Sequence, residues 1–176
     1  SSIGGKTGIN NNFGKNLIGS FYQPELVISD IKILKSLPKR EIICGYAEIL
    51  KHSLIMDKKF FDYLNTNGNK IIKLKNPYIQ KAILKSCLIK KNIIEKDETE
   101  KNLRKILNFG HTFAHAFEST LNYSKKLNHG EAVLLGINCA TKFAYENNIL
   151  NKNDYEKIKN HFKKLKLPNN YLNYFT

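Results

Sequence analysis

The stretch from Arg104 to Glu131 concentrates groups that can hold a metal or carry a proton. It contains His111, His115 and His129, three of the chain's 5 histidines, with Arg104, Asn108, Glu118 and Glu131 beside them. Read as one helix, R-K-I-L-N-F-G-H-T-F-A-H-A-F-E places His111 and His115 one turn apart, with Cβ atoms about 6 Å from each other, near enough to share an ion or a ligand. Arg104, Asn108, His111 and His115 then follow an i, i+4, i+7, i+11 pattern and form a single polar stripe. Leu103, Ile106, Leu107, Phe113 and Phe117 fill much of the remaining circumference, so the helix is expected to be mostly buried, with the stripe facing a cavity. A lone buried histidine is ordinarily a core residue bonded to nearby backbone. Four aligned polar groups and a third histidine point instead to a site.

The elements that must position this stretch are mostly helices. After Pro38, the first turn Lys39-Arg40-Glu41 opens a helix with Ile42, Ile43, Ala47, Leu50 and Leu54 on its apolar side and Glu48, Lys51 and His52 within one turn. Gly45 inside this pattern costs about 1 kcal/mol relative to Ala, which suggests the close approach of another element or a ligand. Residues 58–66 read as a short amphipathic helix broken by Asn67-Gly68-Asn69. Tyr78 to Lys96 reads as a long one with Ile79, Ile83, Cys87 and Ile94 inward and Lys90 and Lys91 near the end of the stripe. Asp97 to Glu100 forms a turn, residues 121–128 a loop, and His129 starts a mostly apolar helix. Asp154 to Lys164 reads as a basic surface helix. Ahead of all this, the start holds Gly4, Gly5, Gly8, Gly14 and Gly19, with Lys6 and Lys15 each following a glycine. A phosphate-cradling loop would use such residues, although the P-loop spacing is incomplete. Glu25 to Ser29 is expected to be a single strand.

At 176 residues the chain is long enough to bury roughly 70% of its unfolded surface without staples. Cys44, Cys87 and Cys139 are odd in number and far apart, which argues against a disulfide framework and for reduced thiols, hence for the cytoplasm. No apolar run reaches the length of a membrane span, so no membrane association is expected. The net charge of +14 would suit nucleic acid or an anionic small molecule. The lysines are spread along the chain, and Arg40 and Arg104 are the only arginines, which weakens the nucleic-acid reading and leaves a phosphorylated small molecule as the expected partner.

Four ordered segments also carry a resemblance. They are S-S-I-G-G-K-T-G-I-N with G-K-N-L-I-G-S-F-Y-Q-P, then L-P-K-R-E with G-Y-A-E-I-L-K-H, then L-R-K-I-L-N-F-G-H-T-F-A-H-A-F-E, and finally H-G-E-A-V. Together they resemble 3-dehydroquinate synthase of the sugar-phosphate cyclase superfamily. That resemblance implies a mainly α fold: residues 1–36 as the remnant of an NAD-binding α/β domain (Gly-rich loop, strand, linker) and 37–176 as a helical metal and substrate domain. It implies zinc, with cobalt as the alternative, held by Glu48, His111 and His129, and so corrects the spacing argument, which nominated His115. It puts Lys6, Asn16, Lys51, Lys90, Glu100, Arg104, Asn108 and His115 around the substrate, and Lys6, Lys15, Ile33, Leu34, Lys35 and Ser36 against NAD. The implied reaction converts the seven-carbon keto-acid phosphate DAHP to 3-dehydroquinate and phosphate, in the shikimate pathway to aromatic amino acids, by a homodimer when full length.

The family's dinucleotide loops would precede Ser1 and a further substrate lysine would follow Thr176, so these 176 residues alone are expected not to turn over. Two other readings stay open. One is a different cyclase of the superfamily, of the 2-deoxy-scyllo-inosose or valiolone synthase type. The other is a non-catalytic basic helical binding module with structural histidines.

Overall fold

In a computed structural model, the described residues are 3–11 and 14–175, without the side chains of residues 10–17. The fold is mainly helical, as expected, and follows the order β1 (Lys6–Asn11), β2 (Gly14–Phe21), α1 (Lys39–Met56), α2 (Lys58–Ile72), α3 (Tyr78–Lys96), α4 (His111–Thr120), α5 (His129–Glu146) and α6 (Lys152–Leu165). Short 3-10 turns cover Ile31–Ser36, Leu103–Asn108 and Tyr171–Tyr174.

The centre of the bundle is α5. Its run A-V-L-L-G-I is apolar all round rather than on one stripe, so it can be satisfied only by neighbours on every side. Residues Gly130 to Ile137 are all buried there, and α1, α4 and α6 pack around the helix. Tyr46 and Leu50 of α1, Phe60 and Leu64 of α2, Ile79 and Ala82 of α3, and Phe162 of α6 complete one continuous core. Among the described residues, no helix is long and apolar enough to cross a membrane.

Several sequence expectations are corrected. The Gly-rich start is not a loop followed by one strand at Glu25 to Ser29, which has no strand pairing. It is an antiparallel hairpin in which Lys6 faces Phe21 and Ile9 faces Ile18, with a register shift after Ile9. Both faces of that hairpin are open, with Ile9 and Ile18 exposed, so there is no inside-outside alternation to read. Asn67-Gly68-Asn69 does not end α2, which runs on to Ile72, because Gly68 is where α6 comes in. A Cβ at Gly68 would lie 2.6 Å from Leu165 Cδ1. Nor does another element approach Gly45 closely, since nothing lies within 4 Å of the Cβ it lacks; it borders the cavity described below.

The presumed single helix from Arg104 onward is in fact two pieces. The 3-10 turn Leu103–Asn108 ends, Gly110 takes φ 78°, and α4 begins at His111. A side chain at Gly110 would be both strained in the left-handed region and 2.8 Å from the Ile137 nitrogen, so the break is where the chain passes tightly over α5. The expected burial fails with it. Leu103 and Phe113 are exposed, and in α4 only Ala114 and Glu118 are buried.

Candidate metal and substrate site

Despite the break, the polar groups converge. Among the described residues, Glu48 from α1, His111 from the first turn of α4 and His129 from the first turn of α5 form a cluster whose ligand atoms all lie within 4.8 Å of one another. Around a tetrahedral zinc with bonds of about 2.0–2.1 Å, donors would stand about 3.4 Å apart, so side-chain adjustments of an ångström or so close the set. One carboxylate and two imidazoles leave a fourth position open, which is the donor pattern of a catalytic rather than a structural zinc.

Outer contacts already orient both imidazoles. His129 Nδ1 lies 3.2 and 3.3 Å from the two carboxylate oxygens of Glu118, whose side chain is 2% exposed. His111 Nδ1 lies 3.3 Å from the Phe109 carbonyl oxygen. Each acceptor favours the tautomer with hydrogen on Nδ1, which leaves the Nε2 lone pair for a ligand. Burial pushes the His111 pKa down to about 4, and the nearby Lys51 cation adds to the shift, so this imidazole is neutral near pH 7. For Glu48, burial works to raise the pKa, but Lys51 outweighs it and holds the carboxyl below its usual range, with Nζ 2.7 Å from Oε2.

The cluster lies on the wall of a cavity of about 580 Å³ between α1, α3 and the 103–108 turn. Lys6, Lys51, Lys90, Glu100, Arg104 and Asn108 all line it, so the structure brings together every described substrate-side residue named from the sequence except His115. His115 stands at the neighbouring opening shared with Lys6, Glu100, Asn108 and His111, its ring 5.5 Å from that of His111 and 6.3 Å from that of His129. Several of these groups hold one another. Lys6 pairs with Glu100, which also accepts from Asn108 Nδ2 at 2.8 Å; burial would raise the Glu100 pKa, but these partners lower it. Burial lowers the pKa of Lys90, opposed by the charge of Glu48. The guanidinium of Arg104 is buried and donates to the carbonyls of Gly4 and Glu98, pinning the start of the hairpin.

Of the residues named against NAD, Lys6 and Leu34 face the cavity, Ile33 is exposed, and Ser36 bonds back to the Ile33 carbonyl within its own turn. The side chains of Lys15 and Asn16 lie outside the described residues. Sequence reasoning counted Glu118 among the metal- or proton-capable groups without giving it a specific role, although it sits at i+7 from His111 and so on the same helix face. Nor did it give Glu131 or Arg40 a specific role at the site; the N-x-x-E spacing of Asn128 and Glu131 was the available signal for a fixed start to α5.

The chain is similar to known proteins over nearly its whole length. The family model for the 3-dehydroquinate synthase N-terminal region matches residues 1–44 and that for its C-terminal region matches 45–175, so the junction falls within α1. A 3-dehydroquinate synthase of Pelagibacter ubique is 65% identical over 176 residues, covering 100% of this chain and 48% of that protein. One from Thermodesulfovibrio yellowstonii is 46% identical over 97% of this chain and 47% of its own length. The chain thus spans about half the length of the curated relatives it matches. Among solved structures, 2-epi-5-epi-valiolone synthase from Streptomyces hygroscopicus with NAD+ and Zn2+ bound superposes with TM-score 0.87 at 27% identity, covering 95% of this chain and 46% of that one. A 2-deoxy-scyllo-inosose synthase complexed with carbaglucose-6-phosphate, NAD+ and Co2+ superposes with TM-score 0.78 at 29% identity, covering 93% and 44%.

Proposed function

The chain belongs to the 3-dehydroquinate synthase family, and from that premise we propose that it forms the metal- and substrate-holding part of an enzyme converting DAHP to 3-dehydroquinate and phosphate. The observation that carries this reading is the meeting of Glu48, His111 and His129, drawn from three helices and widely separated in sequence. Residues 1–36 are then the end of an NAD-binding domain and 37–176 the metal and substrate domain.

A divalent ion, zinc or cobalt, would supply a Lewis acid for adjacent substrate hydroxyls, and NAD a hydride acceptor and donor. The chain's own residues do the rest. Lys6, Lys51, Lys90 and Arg104 offer cations to a phosphate and a carboxylate, while Glu100 and Asn108 fix the Lys6 ammonium and offer polar contacts to hydroxyls. Lys51 must divide itself between Glu48 and the substrate, which makes its ion pair the contact to be exchanged on binding. His115 stands beside the triad without belonging to it, and serves to move a proton as phosphate leaves. Glu118 keeps His129 in the ligating tautomer. Lys6, Lys15 and residues 33–36 border the NAD side. Three free thiols accord with the cytoplasm as its compartment, and a homodimer is the proposed assembly of the whole protein.

The solved neighbours, both cyclases of other sugar phosphates, favour a second reading in which the same site closes a different substrate. Product analysis with DAHP and with other heptose or hexose phosphates separates the two. The metal reading is tested by metal analysis of the purified protein. About one zinc per chain is expected, lost in Glu48→Ala and His129→Ala but retained in His115→Ala. Zinc that survives Glu48→Ala would overturn the site, and salt-sensitive binding of random duplex without metal would favour the basic module.

A further inference from the structure

The first turns of α1 and α5 are joined by more contacts than helix capping needs. Arg40 grips Glu131 with both arms, Nε to Oε1 at 2.8 Å and Nη2 to Oε2 at 2.6 Å. The same guanidinium donates to the carbonyls of Lys125 at 3.2 Å and Lys126 at 2.8 Å, the residues that lead into His129. Glu131 also accepts from the Asn128 backbone at 2.9 Å, and Asn128 Nδ2 donates to Glu41 Oε1 at 2.7 Å. One turn further along α1, Cys44 lies so close to Gly130 that a Cβ on the glycine would come within 2.3 Å of the Cys44 Cα. One turn further still is Glu48, facing His129.

Arg40, Cys44 and Glu48 therefore fall at i, i+4 and i+8 on one face of α1, and they meet Glu131, Gly130 and His129 in reverse order at the start of α5. We propose that Arg40 and Glu131 are positioning residues for the metal site, a clamp that sets the sliding register of α1 against α5 and so the distance from Glu48 to His129. The inference rests on the metal reading above and deepens it. Arg40 and Glu48 are separated by about 12 Å along the helix, so the clamp acts through a rigid rod whose middle is fixed by the Cys44–Gly130 contact. A slide of about 1.5 Å, one residue's rise, would add to the ångström or so that the side chains already take up to close the donor set, and so weaken it. The side chain of Glu131 is only 10% exposed, which shields the pair from solvent on one side and makes its geometry stiffer than that of a surface ion pair.

The test compares the intact protein with Glu131→Gln, Arg40→Lys and the double variant. Zinc affinity is measured by chelator competition and the ligand-field spectrum is recorded with Co2+ bound. Each single change is expected to weaken zinc about 10- to 100-fold and to alter the Co2+ spectrum. The double variant should be no weaker than the worse single, because both remove one clamp. Arg40→Lys keeps the charge but not the fork, so its failure to rescue identifies geometry rather than charge as the cause. Folded single variants with unchanged zinc affinity and an unchanged Co2+ spectrum would overturn the proposal, even if their metal-free stability fell. Fully additive losses in the double variant would overturn it too. If Arg40→Lys does not fold, the near-isosteric Glu131→Gln decides alone. A parent protein that takes up no zinc would instead defeat the metal reading itself.

Discussion

Between Ile3 and Leu37, only Gly4 and Gly5 are buried among the described side chains, whereas every helix from α1 to α6 contributes to one apolar core. The first segment even exposes its large apolar residues, Tyr22, Leu26, Ile28 and Ile33 among them. Apart from Ile31 and Leu34, which pack half-buried against the core, it is attached through polar contacts: Arg104 to the Gly4 carbonyl, Lys6 to Glu100, and Gln23 to Glu98. The difference separates two jobs. All three metal-type ligands and the groups that orient them sit in the hydrophobically built part, where positions are fixed by packing. Lys6, which reaches the cavity from the hairpin, is held instead by its ion pair with Glu100 and the strand pairing of its backbone.

The comparison is broken most directly by truncation to alanine on each of its two sides. Phe60 is fully buried, and Phe60→Ala should cost about 3–5 kcal/mol through lost burial and the cavity left behind. Ile28 is 82% exposed, and Ile28→Ala should change stability by less than about 0.5 kcal/mol. Urea unfolding of both variants measures this; a large loss in Ile28→Ala would mean that the first segment is covered by something that stabilises it.

Acid should act on the helical part first. His161 is fully buried between Tyr46 Oη at 2.8 Å and Asn65 Oδ1 at 3.1 Å, and burial, with Lys164 nearby, pushes its pKa down to about 4. Because the folded pKa lies below the unfolded value of about 6.5, this histidine's contribution is intact above pH 6.5. It is lost progressively as pH falls toward 4, to a total on the order of 3 kcal/mol. His52 and His111 are depressed to about 4 as well, chiefly by burial, and add to the same window. His161→Gln should therefore lower stability at pH 7 yet flatten the decline between pH 6.5 and 4 by about 1 kcal/mol per pH unit, read from denaturant midpoints across that range. An unchanged slope would show that the imidazole is already charged in the fold.

The same division explains what could be read from the sequence. The helix α3 was legible to the residue, Tyr78 to Lys96, because its apolar positions recur at helical spacing against a core. The hairpin was not, since strands open on both faces have no alternation to display and its glycines suit a loop equally well. Within the site, local spacing could nominate only His111 with His115. Glu48 and His129 are brought together by α1 packing on α5, a long-range event with no local sign, and only the resemblance to a known family named them. The helix break at Gly110 was hidden for the same reason, because it is imposed by contact with Ile137 rather than by neighbours in sequence.

The smallest expected effect falls on the attachment of the first segment. Gln23 Nε2 donates to Glu98 Oε1 at 2.9 Å, and its side chain covers Gly5, where a Cβ would come within 2.9 Å of the Gln23 carboxamide. Beside it, the Tyr22 amide donates to the Gly5 carbonyl at 2.8 Å. Gln23→Ala removes one exposed hydrogen bond, so global stability should move by less than about 1 kcal/mol and the urea midpoint should hardly shift. Local opening is a different quantity, because only a few apolar side chains of residues 3–37, Ile31 and Leu34 among them, pack against the core to resist it. Hydrogen exchange at the Tyr22 amide should accelerate severalfold in Gln23→Ala while amides in the middle of α5 keep the parent's rates. If the α5 amides accelerate in step with Tyr22, the two parts open as one cooperative unit, and the polar attachment is a stronger coupling than its contacts imply.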